Sequence, residues 1–149
     1  MLKYQAERYD EMVAEFEPLL KLHYEEVESD KDVCPLVIHH EMYQQSEDAG
    51  ILQITTARHD GELVGYCFFL LVAPLHHATT PHAMLDLLFL LPKYRKGRNA
   101  VELFKSAEAR AIAAGARKIV CGCKADHSIA SLFKRLGYRA DEIYYSKVR

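Results

Sequence analysis

Two consecutive segments govern the architecture of this chain: Ala83-Met-Leu-Asp-Leu-Leu-Phe-Leu-Leu91 and Pro92-Lys-Tyr-Arg-Lys-Gly-Arg-Asn-Ala100. The first is apolar on both faces except for one aspartate, which predicts a strand at the centre of a sheet, ended by Pro92. The second places four bases within six residues, directly before a helix predicted over Asn99–Ala114. Free N–H groups and the positive end of the helix dipole make such a junction an anion site, suited to a phosphate or pyrophosphate.

The remaining segments alternate between helical and extended patterns. Downstream, Gly115 ends the helix. The pattern then predicts a strand Arg117–Cys123, a helix Ser128–Leu136 and one or two strands within Tyr138–Val148. Upstream we predict an amphipathic helix Glu7–Val27 that Pro18 kinks or divides near Glu17, a helix His39–Ala49 stopped by Gly50, and hairpin strands Ile51–Arg58 and Leu63–Ala73 joined by the turn His59–Glu62. This order predicts one α/β domain over residues 1–149, with a strand–helix–strand crossover at its centre.

The composition excludes several classes of protein. Of the 149 residues, 50% are apolar and 27% charged, which is typical of globular domains and excludes disorder, collagen and coiled coil. No apolar run reaches the roughly 20 residues of a membrane span, so we expect no membrane partner. Met1–Gln5 opens no cationic-then-apolar leader, so a cytoplasmic location is expected.

The charge is distributed unevenly. Residues 1–48 carry 13 acids against 4 bases, and residues 49–149 carry 8 acids against 15 bases, so the net charge of −2 hides halves of −9 and +7. The basic half favours an anionic ligand. The acids of the first half either coat exposed helices or, through Tyr24, Glu25 and Glu26, line the binding side for an amine.

Neither the cysteines nor the histidine pairs predict a metal site. Cys121 and Cys123 lack the Cys-x-x-Cys spacing of a zinc site, and we expect them to fill one face of a buried strand. The adjacent residues of His39-His40 and His76-His77 point to opposite faces of an extended chain. No metal cofactor is therefore expected.

Several segments together resemble one enzyme family. They are the basic junction with its flanks (Leu88–Phe104), Ala107–Arg110, Gly115–Ile119, Leu132–Tyr138 and the hairpin Asp60–Tyr66. Over roughly residues 50–148 they resemble the GCN5-related N-acetyltransferases (GNAT superfamily), and among these the phage- and prophage-associated members. The resemblance implies a mixed, mostly antiparallel sheet that splays at strands 4 and 5, with helices on both faces, and often a homodimer.

The resemblance also implies a reaction and a donor site. Acetyl-CoA would give its acetyl group directly to a primary amine on a small molecule or peptide. The pantetheine would contact the backbone of Leu88, Phe89 and Leu90. The pyrophosphate would bind across Arg95, Lys96, Gly97, Arg98, Asn99 and Ala100, and Asp126 would lie beside the cofactor at the start of helix 4; alternatively, Asp126 or Ser128 simply caps that helix.

Three residues are candidates for the catalytic chemistry. Asp86, the one charged side chain between Ala83 and Leu91, is the expected base, since burial would raise its pKa and related enzymes often place a base there. The alternative is a structural aspartate bonded to backbone or to His82, which is either its partner or an exposed loop histidine. Tyr144 and Tyr145 alternate on the predicted last strand, and Tyr145 is the candidate to reach the cleft.

Two departures from the family pattern leave other functions open. Arg98 stands where the loop usually has its middle glycine, Gly97 lies one place earlier, and Phe133 replaces the tyrosine proposed to protonate the leaving thiolate. These departures favour, as the first alternative, an acyl-CoA-binding or protein-interaction module with little catalysis. A nucleic-acid-binding module is disfavoured by the overall pI of 6.4.

Overall fold

A computed structural model describes all 149 residues. The elements, in chain order, are β1 (Lys3–Ala6), α1 (Tyr9–Val27), α2 (His40–Asp48), β2 (Leu52–His59), β3 (Glu62–Val72), β4 (His82–Leu90), a 3₁₀ turn (Pro92–Tyr94), α3 (Asn99–Ala113), β5 (Lys118–Val120) and α4 (Ala130–Arg135).

The five strands form one sheet in the order β1-β2-β3-β4-β5. The first three pairings are antiparallel and the β4–β5 pairing is parallel, as expected for strands joined through the helical crossover α3. The parallel ladder is short, since it joins only His82–Met84 of β4 to Lys118–Val120 of β5. Beyond Met84 the two strands separate, which confirms the predicted mixed sheet splayed at strands 4 and 5.

The helices cover both faces of this sheet, because each face is apolar. On one face Tyr9, Met12, Phe16 and Leu20 of α1 pack against β2, β3 and Phe89. On the other face the core is built from Leu103, Phe104, Ala107 and Ala111 of α3 together with Phe133 of α4. The buried residues of α1 recur at steps of three and four, so the sequence periodicity that predicted this helix is its packing stripe.

Gly65 of β3 allows β3 and β4 to approach closely where β4 enters the site described below. Gly65 pairs with Leu90. A Cβ at position 65 would lie 2.7 Å from the Phe89 carbonyl oxygen and 2.7 Å from Leu90 Cδ1, distances that no real side chain occupies. Glycine is therefore required here by its missing side chain.

Two sequence-based predictions about the fold are wrong, and one strand was not predicted. Helix α1 runs unbroken through Pro18, so of the two predicted outcomes the division into two helices is wrong; Phe16 and Leu20, buried on either side, hold both halves on the sheet. The segment Tyr138–Val148 forms no strand, because β5 is only three residues long and offers almost no edge to pair with. β1 was not predicted, since four residues are too few to show an alternating pattern.

Candidate active site

A cavity of about 790 Å³ opens where β4 and β5 separate. Its walls come from α1 and the loop after it, from β4 between Leu85 and Leu90, from the start of α3 and from the β5–α4 loop. Of the predicted site residues, Asp86, Leu88, Phe89, Leu90, Arg95 and Ala100 line this cavity. β4, the long apolar strand on which the sequence analysis was based, thus forms the floor of this cleft.

Backbone groups of β4 face this cleft. The Leu91 N–H donates to the Val64 carbonyl of β3, whereas the Leu90 carbonyl accepts a hydrogen bond from Arg95 Nε at 2.6 Å. Because successive residues of a strand direct their backbone groups to opposite sides, those of Leu88 and Leu90 point away from β3 toward the gap. The gap therefore offers the main-chain groups of Leu88 and the N–H of Leu90 to an extended ligand, whereas the Leu90 carbonyl is already bonded to Arg95.

The loop before α3 retains the features of an anion site despite its altered glycine pattern. Gly97 adopts the left-handed conformation (φ 61°) and has open space in front of it, while Arg98 has a negative φ (−104°) that any residue can adopt. Glycine therefore stands at the one position of this loop that has a positive φ, and Arg98 stands where no glycine is required. The N-terminus of α3 has no side-chain cap. Its Asn99 N–H bonds to the Lys96 carbonyl at 3.4 Å, and the next N–H groups, those of Ala100 and Val101, have no partner and are left for an anion.

The side chains of this loop point elsewhere. Arg98 bonds to Glu102 one turn along α3, at 2.9 Å, and Asn99 donates from its side chain to the Tyr94 carbonyl at 2.9 Å. Lys96 is exposed on the surface. Lys96, Gly97, Arg98 and Asn99 are not part of the cavity wall, so the donors near the cleft are main-chain groups together with Arg95.

Arg95 is held by a carboxylate from the opposite wall. Both of its terminal nitrogens donate to Glu26 at 2.7 Å, and its guanidinium lies 5.3 Å from the ring centre of Phe89. His127 Nε2 is 3.1 Å from the same Glu26 carboxylate. The Arg95 hydrogen bonds lower the pKa of Glu26, so this carboxylate is charged at neutral pH and balances the arginine.

Asp86 lies on the cavity wall at an irregularity of β4. The register between β3 and β4 shifts between Phe68 and Phe69, which face Leu87 and Leu85, and this leaves Asp86 as the extra residue of a β-bulge. Its carboxylate has no hydrogen-bond or ion-pair partner, although solvent reaches it through the cavity. The enclosing walls raise its pKa by desolvation. A structural aspartate bonded to backbone or to a histidine is therefore not what the structure shows.

His23 of α1 contributes a neutral imidazole to the same cavity. Its Nδ1 is 3.0 Å from the Tyr66 hydroxyl, and its ring stacks on Phe89 with centroids 5.0 Å apart. Desolvation lowers the pKa of His23 to about 4. Because Tyr66 occupies Nδ1, Nε2 is the ring nitrogen left for a ligand.

Besides the four loop residues, three further predicted residues do not reach the cavity. His82 begins β4, where it stacks on His77; four residues along a strand span about 13 Å, too far for a bond to Asp86. Tyr145 is 91% exposed in the C-terminal segment that forms no strand. Asp126 accepts a hydrogen bond from Ser29 at 3.2 Å and does not cap α4, where the N–H of Ala130 donates to the Ser128 hydroxyl at 3.2 Å instead.

Sequence reasoning missed other parts of the wall. Cys123, predicted to be buried in a strand, is exposed beyond the end of β5 and lines the cavity. Of the acidic candidates on α1, Tyr24 and Glu26 line the cavity and Glu25 does not. His23 could have been noticed as a polar residue on the buried stripe of an amphipathic helix. Tyr43 of α2, and Lys124 and His127 of the β5–α4 loop, reach the cavity through long-range packing that no local pattern signals.

No group of three or more histidine, cysteine, aspartate or glutamate side chains gathers to hold a metal ion. None of the helices is both long and apolar enough to cross a membrane.

The fold and the cleft together define an α/β domain whose sheet opens beside a basic loop that leads into α3. This chain belongs to the acetyltransferase (GNAT) family, whose sequence pattern matches residues 10–138. None of the curated proteins is similar enough to the chain to add a relative.

Solved structures share the fold over the full length of the chain. A ribosomal-protein-alanine N-acetyltransferase from Brucella melitensis biovar Abortus 2308 has a TM-score of 0.74 at 16% identity, with 100% of this chain and 99% of that chain covered. An aminoglycoside acetyltransferase from an uncultured soil metagenomic sample has a TM-score of 0.78 at 17% identity, with the same coverage. AAC(6')-Iy, solved with the bisubstrate analogue CoA-S-monomethyl-acetylneamine, has a TM-score of 0.74 at 15% identity, covering 100% of this chain and 99% of that chain.

Proposed function

We propose that this protein transfers the acetyl group of acetyl-CoA directly to a primary amine of a small molecule or peptide. The observation that carries the proposal is one cavity that joins the free carboxylate of Asp86, the backbone edge of β4 that faces away from β3 and the uncapped start of α3. The family and a neighbour bound to a coenzyme A bisubstrate analogue support the donor. A narrower place among phage-associated members, a cytoplasmic location and a homodimer stay predictions.

The donor fits the cleft in two parts. The diphosphate would bind the free N–H groups at Gly97 and the start of α3. The pantetheine amides would bond to the backbone of Leu88 and Leu90, and the Phe89 side chain beneath is buried and shapes the floor. Coenzyme A supplies the activated thioester; the protein has to orient it and to remove a proton from the amine.

Asp86 is the proposed base. An ammonium group that enters the cavity gives one proton to the Asp86 carboxylate, directly or through a water molecule. The neutral nitrogen then attacks the thioester carbon, so a C–N bond forms and the C–S bond breaks, and the nitrogen releases its second proton to solvent to leave the neutral amide. The departing thiolate takes a proton from solvent, since Phe133 is buried against Phe104 and has no proton to give.

Replacing the Asp86 carboxylate by an amide tests this role. Asp86→Asn is expected to bind acetyl-CoA as the wild type does but to lower kcat at least tenfold, which is about 1.4 kcal/mol of transition-state stabilisation. Because the raised pKa delays ionisation of Asp86, the wild-type rate should fall on acidification at a higher pH than a surface aspartate would give, and the variant should lose this dependence. Asp10→Asn, on the outer side of α1, is the control. Unchanged turnover in Asp86→Asn removes it from the mechanism.

A second candidate function has support from two observations. Arg95 is occupied by Glu26, and Phe133 stands where the family often has a tyrosine. Both favour a module that binds acyl-CoA with little catalysis. Thermal unfolding with and without saturating acetyl-CoA, with NAD and ATP as controls, separates the candidates when combined with an amine assay. A ligand at 100 times its Kd adds about 2.7 kcal/mol. A shift with turnover supports the enzyme; a shift without turnover supports the module.

A further inference from the structure

Much of the cavity wall on the side of α1 and the loop after it is apolar. α1 contributes Leu20 and Val27, the loop between α1 and α2 contributes Leu36, Val37 and Ile38, and β4 contributes Leu87. Val37 is 80% exposed and Leu36 is 36% exposed, although both are aliphatic. Aliphatic side chains that border a cleft and remain open to water favour an apolar ligand.

The carboxylates on the cavity wall are almost all paired with cations. Glu26 is bound by Arg95, and Glu28 is bound by Lys124 at 3.2 Å. Glu25 faces outward and pairs with Lys31. Asp86 is thus the one carboxylate on the cavity wall with no cationic partner.

We infer that the acceptor is a primary monoamine whose amino group is attached to an aryl or branched-alkyl body. The inference rests on the proposed function and names its substrate class. One ammonium group can pair with Asp86 while the apolar body covers Leu36, Val37 and Leu87. A polyamine or an aminoglycoside would bring further ammonium groups against aliphatic walls, where they lose hydration without gaining a carboxylate. The transfer step itself is the one written above.

Three amines test the inference at saturating acetyl-CoA, by the release of free thiol. We expect kcat/KM for 2-phenylethylamine to exceed that for ethanolamine, which has the amine but no apolar body, by roughly 30-fold, the effect of burying a ring-sized apolar surface. Spermidine should lie at least about tenfold below 2-phenylethylamine. If the kcat/KM for ethanolamine or spermidine equals that for 2-phenylethylamine, the inference is overturned and the proposed function is left intact. Failure to acetylate any amine would overturn both.

Two variants in one loop give a matched comparison. Val37→Asp adds a carboxylate to the cavity wall at an exposed position, so folding should be unaffected. It should lower kcat/KM for 2-phenylethylamine and raise it for spermidine, which reverses much of the preference. Val33→Asp, in the same loop but outside the cavity and 51% exposed, should change neither value. Equal effects of the two substitutions would show that the cavity wall does not select the acceptor.

Discussion

The close approach at Gly65 gives a prediction in which two opposing effects can be weighed. In Gly65→Ala the new Cβ would meet the Phe89 carbonyl oxygen and Leu90 Cδ1, each at 2.7 Å. The Leu90 side chain can rotate, but the carbonyl belongs to the backbone, so β4 itself must shift. Overpacking of this kind costs about 3 kcal/mol at the upper end of its range. The loss of glycine freedom in the unfolded chain returns up to about 1 kcal/mol.

The net destabilisation is therefore about 2 kcal/mol, which for a chain of this size lowers Tm by about 4–8 °C. The matched control is Gly122→Ala, since a Cβ there meets nothing within 4 Å and the backbone is not left-handed. Gly122→Ala reduces the conformational freedom of the unfolded chain without a steric cost in the folded one, so its Tm should be unchanged or slightly higher. Thermal unfolding of the three proteins under identical conditions decides the matter. A Tm for Gly65→Ala within about 1 °C of wild type would refute the steric argument.

Two further predictions concern α1. Glu26→Gln removes the charge that competes with the ligand for Arg95, so the Kd for coenzyme A should fall by roughly three- to tenfold in calorimetric titration. The control Glu25→Gln, one residue earlier, should leave this Kd unchanged. A higher Kd in Glu26→Gln would show instead that Glu26 orients Arg95 for the ligand. His23 stays neutral in the folded protein down to a pKa of about 4, while the unfolded chain protonates it near 6.5, so this residue removes about 2–3 kcal/mol of stability as the pH falls from 6.5 to 4. Denaturant unfolding of His23→Gln should show a shallower loss over that interval, and equal slopes for the two proteins would contradict the assignment.

Much of the fold was predictable because it depends on local patterns. The continuous apolar run of β4, the helical periodicity of α1 and the turn between β2 and β3 each specify one element with the correct neighbours. Family resemblance added the splay between strands 4 and 5, which no pattern within either strand reveals. Tyr145 was misplaced because a strand needs a partner edge as well as a suitable sequence, and β5 provides only three residues.

The site was less predictable than the fold. Asp86 was found because a single charge in an apolar strand is visible in the sequence. The sequence did not reveal that its carboxylate lacks a partner, because this depends on the β-bulge and on the distance between Asp86 and His82. The role of Arg95 depends on Glu26, which is 69 residues away in the chain and reaches it only through the packing of α1 on β4. Long-range pairs of this kind have no local signature.

The edge of β4 that faces away from β3 would make the stability of the protein depend on the binding of its acyl donor. Amides of a bound pantetheine would take the place of an additional strand beside Leu88 and Leu90, a form of β-augmentation by a small molecule. Amide hydrogen exchange at these two positions should then slow on binding more than at Phe89, whose backbone groups already face β3. Because only the folded chain offers this edge, the fraction of molecules that survive heat or proteolysis rises with the concentration of donor, so the supply of the acyl donor would set how long the protein persists.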